Sequence, residues 1–295
     1  MSAVLLFFAI TYLASWTFFS AAGYVLNRPG SPASAPLAGV LFLFGTIMPS
    51  LIALILTALK EGRTGVRVLL AGLSKWSVGA RWYLFALGYM IVVKLAAAVL
   101  NRLALGEWPR FGQTPWYLML GAIVFSTPVQ AGEEIGWRGY ALPRLTKQFG
   151  LAGASIGLGV IWACWHLPFF FIPGSDNFGQ SFLLYLMAVT AISVAMAWLY
   201  WRTNESLFLV MLLHASINNT AGIVPSPAST TAPNPFYLNA SLVAWLVVTL
   251  LWTGATYFLI RMRGASFDRD DKEQPASSTI PTLPTKLELC ITDSL

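Results

Sequence analysis

Apolar residues run along this chain in blocks of about twenty, the length a helix needs to cross a bilayer core. Eight such blocks fall at 3–26, 36–59, 81–105, 115–142, 151–171, 181–201, 205–223 and 238–260, with Pro143 expected to end the fourth. The connector 60–80 has another pattern. Val66, Leu69, Leu70 and Leu73 recur at helical spacing, with Arg67, Ala71 and Lys75 on the other side. That predicts an amphipathic helix over about 64–76, lying on the membrane surface. From Gly264 onward the chain is rich in Asp, Ser, Thr and Pro, the composition of a disordered tail over 264–295. The Pro-, Ser- and Thr-rich stretch 225–235 reads as a connector. The expectation is therefore an all-α, polytopic membrane protein. A single transmembrane domain over 1–263 would hold about eight spanning helices around a polar intramembrane cavity.

Composition fits this picture. Hydrophobic residues make up 57% of the 295 and charged residues only 10%, against about 25% charged in soluble domains. The net charge of +6 does not indicate nucleic acid, because the basic residues flank the spans rather than forming one patch. Cys164 lies in a span and Cys290 in the tail, which makes a structural disulfide improbable. The first block has no basic leader and no clear cleavage site, so it reads as a retained helix rather than a signal peptide. Thirteen of the 18 basic residues sit in the second, fourth and sixth loops and the tail, and only Arg28 and Arg110 in the odd loops. The positive-inside rule then places both termini in the cytoplasm of a cell-membrane protein, with the cavity expected to open on that side. Lys94, inside the third block, is expected to snorkel to the interface rather than pair with a carboxylate.

One stretch breaks the apolar pattern: Gln130-Ala131-Gly132-Glu133-Glu134-Ile135-Gly136-Trp137-Arg138. Charges at a span centre cost roughly 2.5–3.5 kcal/mol each on insertion scales, so three facing lipid would cost on the order of 9 kcal/mol. They must face protein or a wet cavity. Glu134 and Arg138 are four apart and share a helical face, where they pair. Glu133 points about 100° away, without that cation, and is the candidate general base. A purely structural Glu–Arg clasp would leave Glu133 unexplained.

The chain has two histidines, both inside spans. Trp162 and His166 are four apart, as are His214 and Asn218. At ~1.5 Å per residue, Glu133, His166 and His214 lie about 15, 20 and 13 Å from the nearer cytoplasmic ends of their spans, so they can meet in one cavity. A base, two imidazoles and an amide donor around one water suit hydrolysis. Gly153-Ala154-Ser155-Ile156-Gly157 has the spelling of a nucleophile elbow but opens a membrane helix rather than a strand-to-helix turn, and small residues for helix packing are the better reading. Cys164 is about 200° around the helix from His166, so those two cannot form a dyad.

Glu133-Glu134-x-x-x-Arg138, Trp162-x-x-x-His166 and His214-x-x-x-Asn218 resemble, in order and spacing, the three motifs of the CAAX protease and bacteriocin-processing (abortive infection) family. These are intramembrane endopeptidases related to the type II CAAX prenyl protease. The resemblance covers roughly 115–223, the expected catalytic core, and the family usually has Phe at the position of Trp162. It implies that Glu133 activates a water with help from His166, that His214 and Asn218 stabilise the oxyanion, and that Glu134 and Arg138 support the site. The substrate would be a membrane-associated or C-terminal peptide or a membrane protein, met in the bilayer. The alternatives are a non-catalytic scaffold or immunity-type protein retaining the fold, and a transporter, for which the chain lacks symmetrical broken helices. Zinc held by Glu133, His166 and His214 is a further possibility. With no H-E-x-x-H, and with candidate ligands on three helices, a metal-free mechanism without a cofactor is favoured.

Overall fold

A computed structural model describes residues 3–28, 34–225, 234–238, 240–265 and 267. The expected tail therefore lies almost wholly outside the described residues, as does most of the 225–235 connector. Among the described residues every regular element is helical. Helices α1 (Ala3–Leu26), α2 (Ser34–Ala71) and α3 (Ala80–Leu105) come first. Then α4 (Trp116–Ser126), a 3-10 turn (Pro128–Gln130), α5 (Ala131–Glu134), a π-helix (Ile135–Ala141) and α6 (Leu142–Trp165) succeed one another almost without a break. Helices α7 (Phe182–Arg202), α8 (Leu207–Thr220) and α9 (Leu242–Arg261) complete the bundle. Leu13, Leu84, Leu103 and Phe125 are exposed on its outside, where a bundle in lipid keeps its apolar side chains. The fold is an all-α, polytopic membrane protein.

Six helices among the described residues are long and apolar enough to cross a membrane. Two differences separate this from the eight blocks read in the sequence. The fourth and fifth follow one another without a loop through Trp116–Trp165 and stay two helices only by a non-helical Gly150, and the seventh, Leu207–Ile223, is short. The fourth does not end at Pro143, which sits in the first turn of α6, where a missing N–H costs nothing. The break comes at Gly150, whose φ of 66° is left-handed. Gly62, at φ 64°, likewise breaks α2, and the amphipathic segment comes after it. There Leu69 is buried while Arg67 and Val68 are exposed, so one face packs onto the bundle.

Hydroxyls and small residues join the helices, as suits an interior whose apolar side chains gain little over lipid. Ser15 Oγ donates to Gly45 O at 2.8 Å between α1 and α2, and Ser216 Oγ to Leu87 O at 2.8 Å between α8 and α3. Ser193 Oγ donates to Ser155 O at 3.0 Å, and a Cβ on Gly159 would stand 2.8 Å from Thr190 Cα. Ser155 is thus a buried packing residue of the α6–α7 seam, as its small neighbours suggest.

The bundle has two distinct ends. At one, Lys75 Nζ donates to Asn204 O, Ser206 Oγ to Lys75 O, and Arg144 pairs with Glu61. At the other, Asn27 meets Pro173 O, Gly112 N meets Ile223 O and Phe182 N meets Pro235 O. The first end carries the basic loops, the start of α1 and the end of α9.

Candidate active site

The acidic stretch is held where the helical path is least regular. Pro128 breaks the run after α4, and the chain resumes as one turn of α5 before widening into the π-helix. Alpha-helical spacing alone carries no sign of that widening; π turns cluster at functional sites. Two glycines let this segment lie against α2. A Cβ on Gly136 would meet Pro49 C and O at 2.5 Å, and one on Gly132 would meet Ile47 at 3.0 Å. Ser50 stitches the contact: its Oγ donates to Ala131 O at 2.6 Å and accepts from Gly136 N at 3.2 Å.

Glu134 and Arg138 form the expected pair. Arg138 Nη1 lies 3.0 Å from Glu134 Oε1, with both side chains fully buried. Arg138 Nη2 contacts Met196 Sδ at 3.2 Å, and its guanidinium sits 4.2 Å from the Trp162 ring centroid. The same Glu134 Oε1 lies 2.7 Å from His214 Nδ1. A carboxylate only accepts, so this nitrogen carries the proton and donates it. Glu134 thus gathers Arg138 and His214, although its Oε2 and Arg138 Nε are buried without a partner among the described residues.

Glu133 is buried and makes no ion pair among the described residues, as the spacing suggests. Its Oε2 instead accepts from Trp162 Nε1 at 2.8 Å, a bond a phenylalanine could not make. Trp162 at this position is therefore not a neutral exchange of one aromatic for another. His166 comes directly after the last residue of α6. The helix tightens there, His166 N bonding to Ala163 O, so Trp162 O is left to accept from His166 Nδ1 at 2.8 Å. Both imidazoles are fixed through Nδ1, and Nε2 is the nitrogen each has left for chemistry.

Glu133, Trp162, His166, His214 and Asn218 all line one cavity of about 730 Å³. Asn218 is exposed into it, one helical turn beyond His214. Gln130, the amide of the acidic stretch, is not among the lining residues and donates to Ser126 O at 3.3 Å. Two expectations are corrected here. Lys94 does not snorkel and, among the described residues, pairs with no carboxylate: it is buried, lines the cavity and donates to Val224 O at 3.1 Å. The cavity also does not open beside the chain ends. It is lined by Gly174, Asp176 and Gln180 and by the first turns of α7 and α9, so it reaches the end of the bundle remote from the basic loops. Helix α6 continues past Pro143 to Gly150, about seven residues or ~10 Å, which sets Glu133 that much farther from the basic end.

A zinc ion would need three ligating side chains. Among the described residues no three His, Cys, Asp or Glu groups are placed to hold one. The Trp162 ring contacts both imidazoles, its centroid 5.7 Å from His166 and 5.2 Å from His214, and its N–H donates to Glu133 Oε2. The arrangement as it stands does not fit a three-ligand zinc site.

Comparison with known proteins falls on this same region. Residues 113–220 match the model of the Rce1-like family, type II CAAX prenyl endopeptidase Rce1-like. A CAAX prenyl protease 2 of Methanococcus maripaludis is 33% identical over 92 residues, which are 29% of this chain and 34% of that protein. The chain thus spans about a third of the length of the curated relative it matches.

Proposed function

We propose that this chain, whose residues 113–220 match the Rce1-like CAAX prenyl endopeptidase model, is an intramembrane endopeptidase in which Glu133 activates water. The observation that carries the reading is Glu133 itself: buried, without a counter-cation, and lining one cavity with both histidines and Asn218.

In the proposed reaction Glu133 takes a proton from a water while His166 Nε2 orients it. The resulting hydroxide attacks the scissile carbonyl. Negative charge then grows on the carbonyl oxygen, and the donors for it are Asn218 Nδ2 and His214 Nε2. Donation from Nε2 requires the imidazolium, because Nδ1–H is already committed to Glu134. Glu134 is the partner of both Arg138 and His214, so an imidazolium at His214 would keep an anion directly beside it. Each oxyanion donor typically contributes about 3–4 kcal/mol to lowering the barrier. The proton held by Glu133 passes to the leaving amine as the C–N bond breaks, so the elements of one water are added across the peptide bond. No step needs a metal, and activity should survive stringent chelation.

By the loop bias of basic residues, the termini lie in the cytoplasm and the cavity opens on the other face. The substrate is then a membrane-associated or C-terminal peptide that reaches the cavity from that face or from within the bilayer. Mass spectrometry of membrane peptides from cells with the wild-type chain and with Glu133→Gln tests this reading. Fragments present only with the wild type support it, and identical peptide sets from both overturn it in favour of a non-catalytic scaffold.

A further inference from the structure

Lys94 has no role in the chemistry above, yet among the described residues it is the only lysine or arginine lining the cavity. Its side chain is 6% exposed. An ammonium has three donors, and Lys94 uses one of them on Val224 O, with no carboxylate as a counter-ion among the described residues. A buried cation left without an anion is costly in a membrane interior, and such a residue marks a binding pathway by default. The carboxylates nearest in kind, Glu133 and Asp176, line the same cavity without pairing to it.

Its position is informative. Helices α3 and α8 run in the same direction, because Leu87 meets Ser216 near one level and Lys94 meets Val224 farther along. From Leu87 to Lys94 is about 10 Å of helical rise, and His214 lies a further ~3 Å back from Ser216. The ammonium is thus offset from the histidine by about 10–13 Å, toward the cavity mouth. An extended peptide covers about 3.3–3.6 Å per residue, so about three or four residues bridge that distance.

Building on the peptidase reading, we propose that Lys94 docks the free α-carboxylate of the substrate and so selects peptide C-termini over internal segments. The ammonium supplies the charge-assisted bonds that an α-carboxylate accepts, and a neutral chain end or a mid-chain carbonyl does not replace them. An anionic lipid headgroup offers the same charge. Burial of the ammonium inside the cavity, rather than on the lipid-facing outside of the bundle, favours the peptide.

The test uses the purified full chain in nanodiscs of zwitterionic lipid. The probe is a fluorescent, prenylated peptide ending in a CAAX sequence, made as the free acid and as the carboxamide, and both binding and cleavage are measured. The wild type should bind the acid at least about tenfold more tightly than the amide, the range of a hydrogen bond to a charged group. Lys94→Met should bring the two within twofold of each other, and Lys94→Arg should restore part of the preference. Equal binding of acid and amide by the wild type, or a preference that survives in Lys94→Met, overturns the proposal. So does loss of the preference on adding anionic lipid, which would assign Lys94 to the headgroup. The two readings part cleanly. Acid-selective binding without cleavage keeps Lys94 and removes the peptidase, while equal cleavage of both peptides does the reverse. The wild-type comparison decides the matter even where a Lys94 variant fails to fold.

Discussion

Arg138→Met removes the 3.0 Å ion pair to Glu134 and lifts a cation from the Trp162 face, 4.2 Å away. Two magnitudes compete in setting the loss of stability. A hydrogen bond between membrane helices contributes about 0.6 kcal/mol on average and about 1.7 at most. A carboxylate left without its cation in the bilayer interior costs about 2.5–3.5 kcal/mol, taking Glu like Asp. The contact with His214 remains in the variant, and Glu134 Oε2 and Arg138 Nε have no partner among the described residues to begin with, so the pair is less than a full fork. The stranded charge therefore dominates, and Arg138→Met should lose about 3 kcal/mol, roughly a hundredfold in the folding equilibrium. The double variant Glu134→Gln/Arg138→Met removes the charge along with its partner and should lose only about 1–2 kcal/mol. The assay is unfolding in mixed micelles by titration with a denaturing detergent, monitored by tryptophan fluorescence. A double variant more stable than Arg138→Met is the expected sign. A double variant whose loss equals the sum of the two singles would refute the stranded-charge argument.

The glycine contact with α2 gives a paired comparison. Gly136→Ala places a methyl 2.5 Å from Pro49 backbone and should cost about 1–3 kcal/mol with a drop in folded yield, whereas Gly157→Ala, with nothing within 4 Å, should behave as wild type in the same melting assay. Trp162→Phe keeps the ring and removes the N–H that holds Glu133. A loss of about 1.5–3 kcal/mol in that bond predicts kcat down by at least about tenfold with KM little changed and a lowered melting temperature, and an unchanged kcat in folded protein would show that Glu133 does not depend on it. Topology is read by membrane-impermeant maleimide in a Cys164→Ala/Cys290→Ala background. Asn177→Cys, at the cavity mouth, should label on intact cells, and Ser74→Cys only after permeabilisation. The opposite pattern would reverse the assigned orientation.

How much of the site is legible in the chain depends on how local each signal is. The Glu134–Arg138 pair rests on a spacing of four residues, which fixes the shared face in an α-helix and survives its widening into a π turn. The isolation of Glu133 and the shared face of His214 and Asn218 come from the same angular arithmetic. Helix ends are less legible. Pro143 resembles a terminator, but in a first helical turn it terminates nothing, and Gly150 gives no signal until its φ is known. The roles of Trp162 and Lys94 depend on which helices touch, through bonds spanning 29 and 130 positions, and no periodicity encodes those. The same is true of the cavity mouth, which only the pairing of loop ends reveals. The state of His214 Nδ1 is also beyond reach of the sequence, since its partner Glu134 is 80 residues away. That bond changes the chemistry by making oxyanion donation conditional on the imidazolium.

The central claim is that Glu133 turns a water into the nucleophile of peptide hydrolysis. The direct measurement is cleavage of a peptide by the purified full chain in water enriched in oxygen-18, after stringent chelation, with mass spectrometry of the product. One heavy oxygen in the new carboxylate, full retention of activity without metal, and no product from Glu133→Gln that melts like the wild type are the expected results. Cleavage by Glu133→Gln at the wild-type rate, or activity that disappears on chelation and returns with stoichiometric zinc, would contradict it.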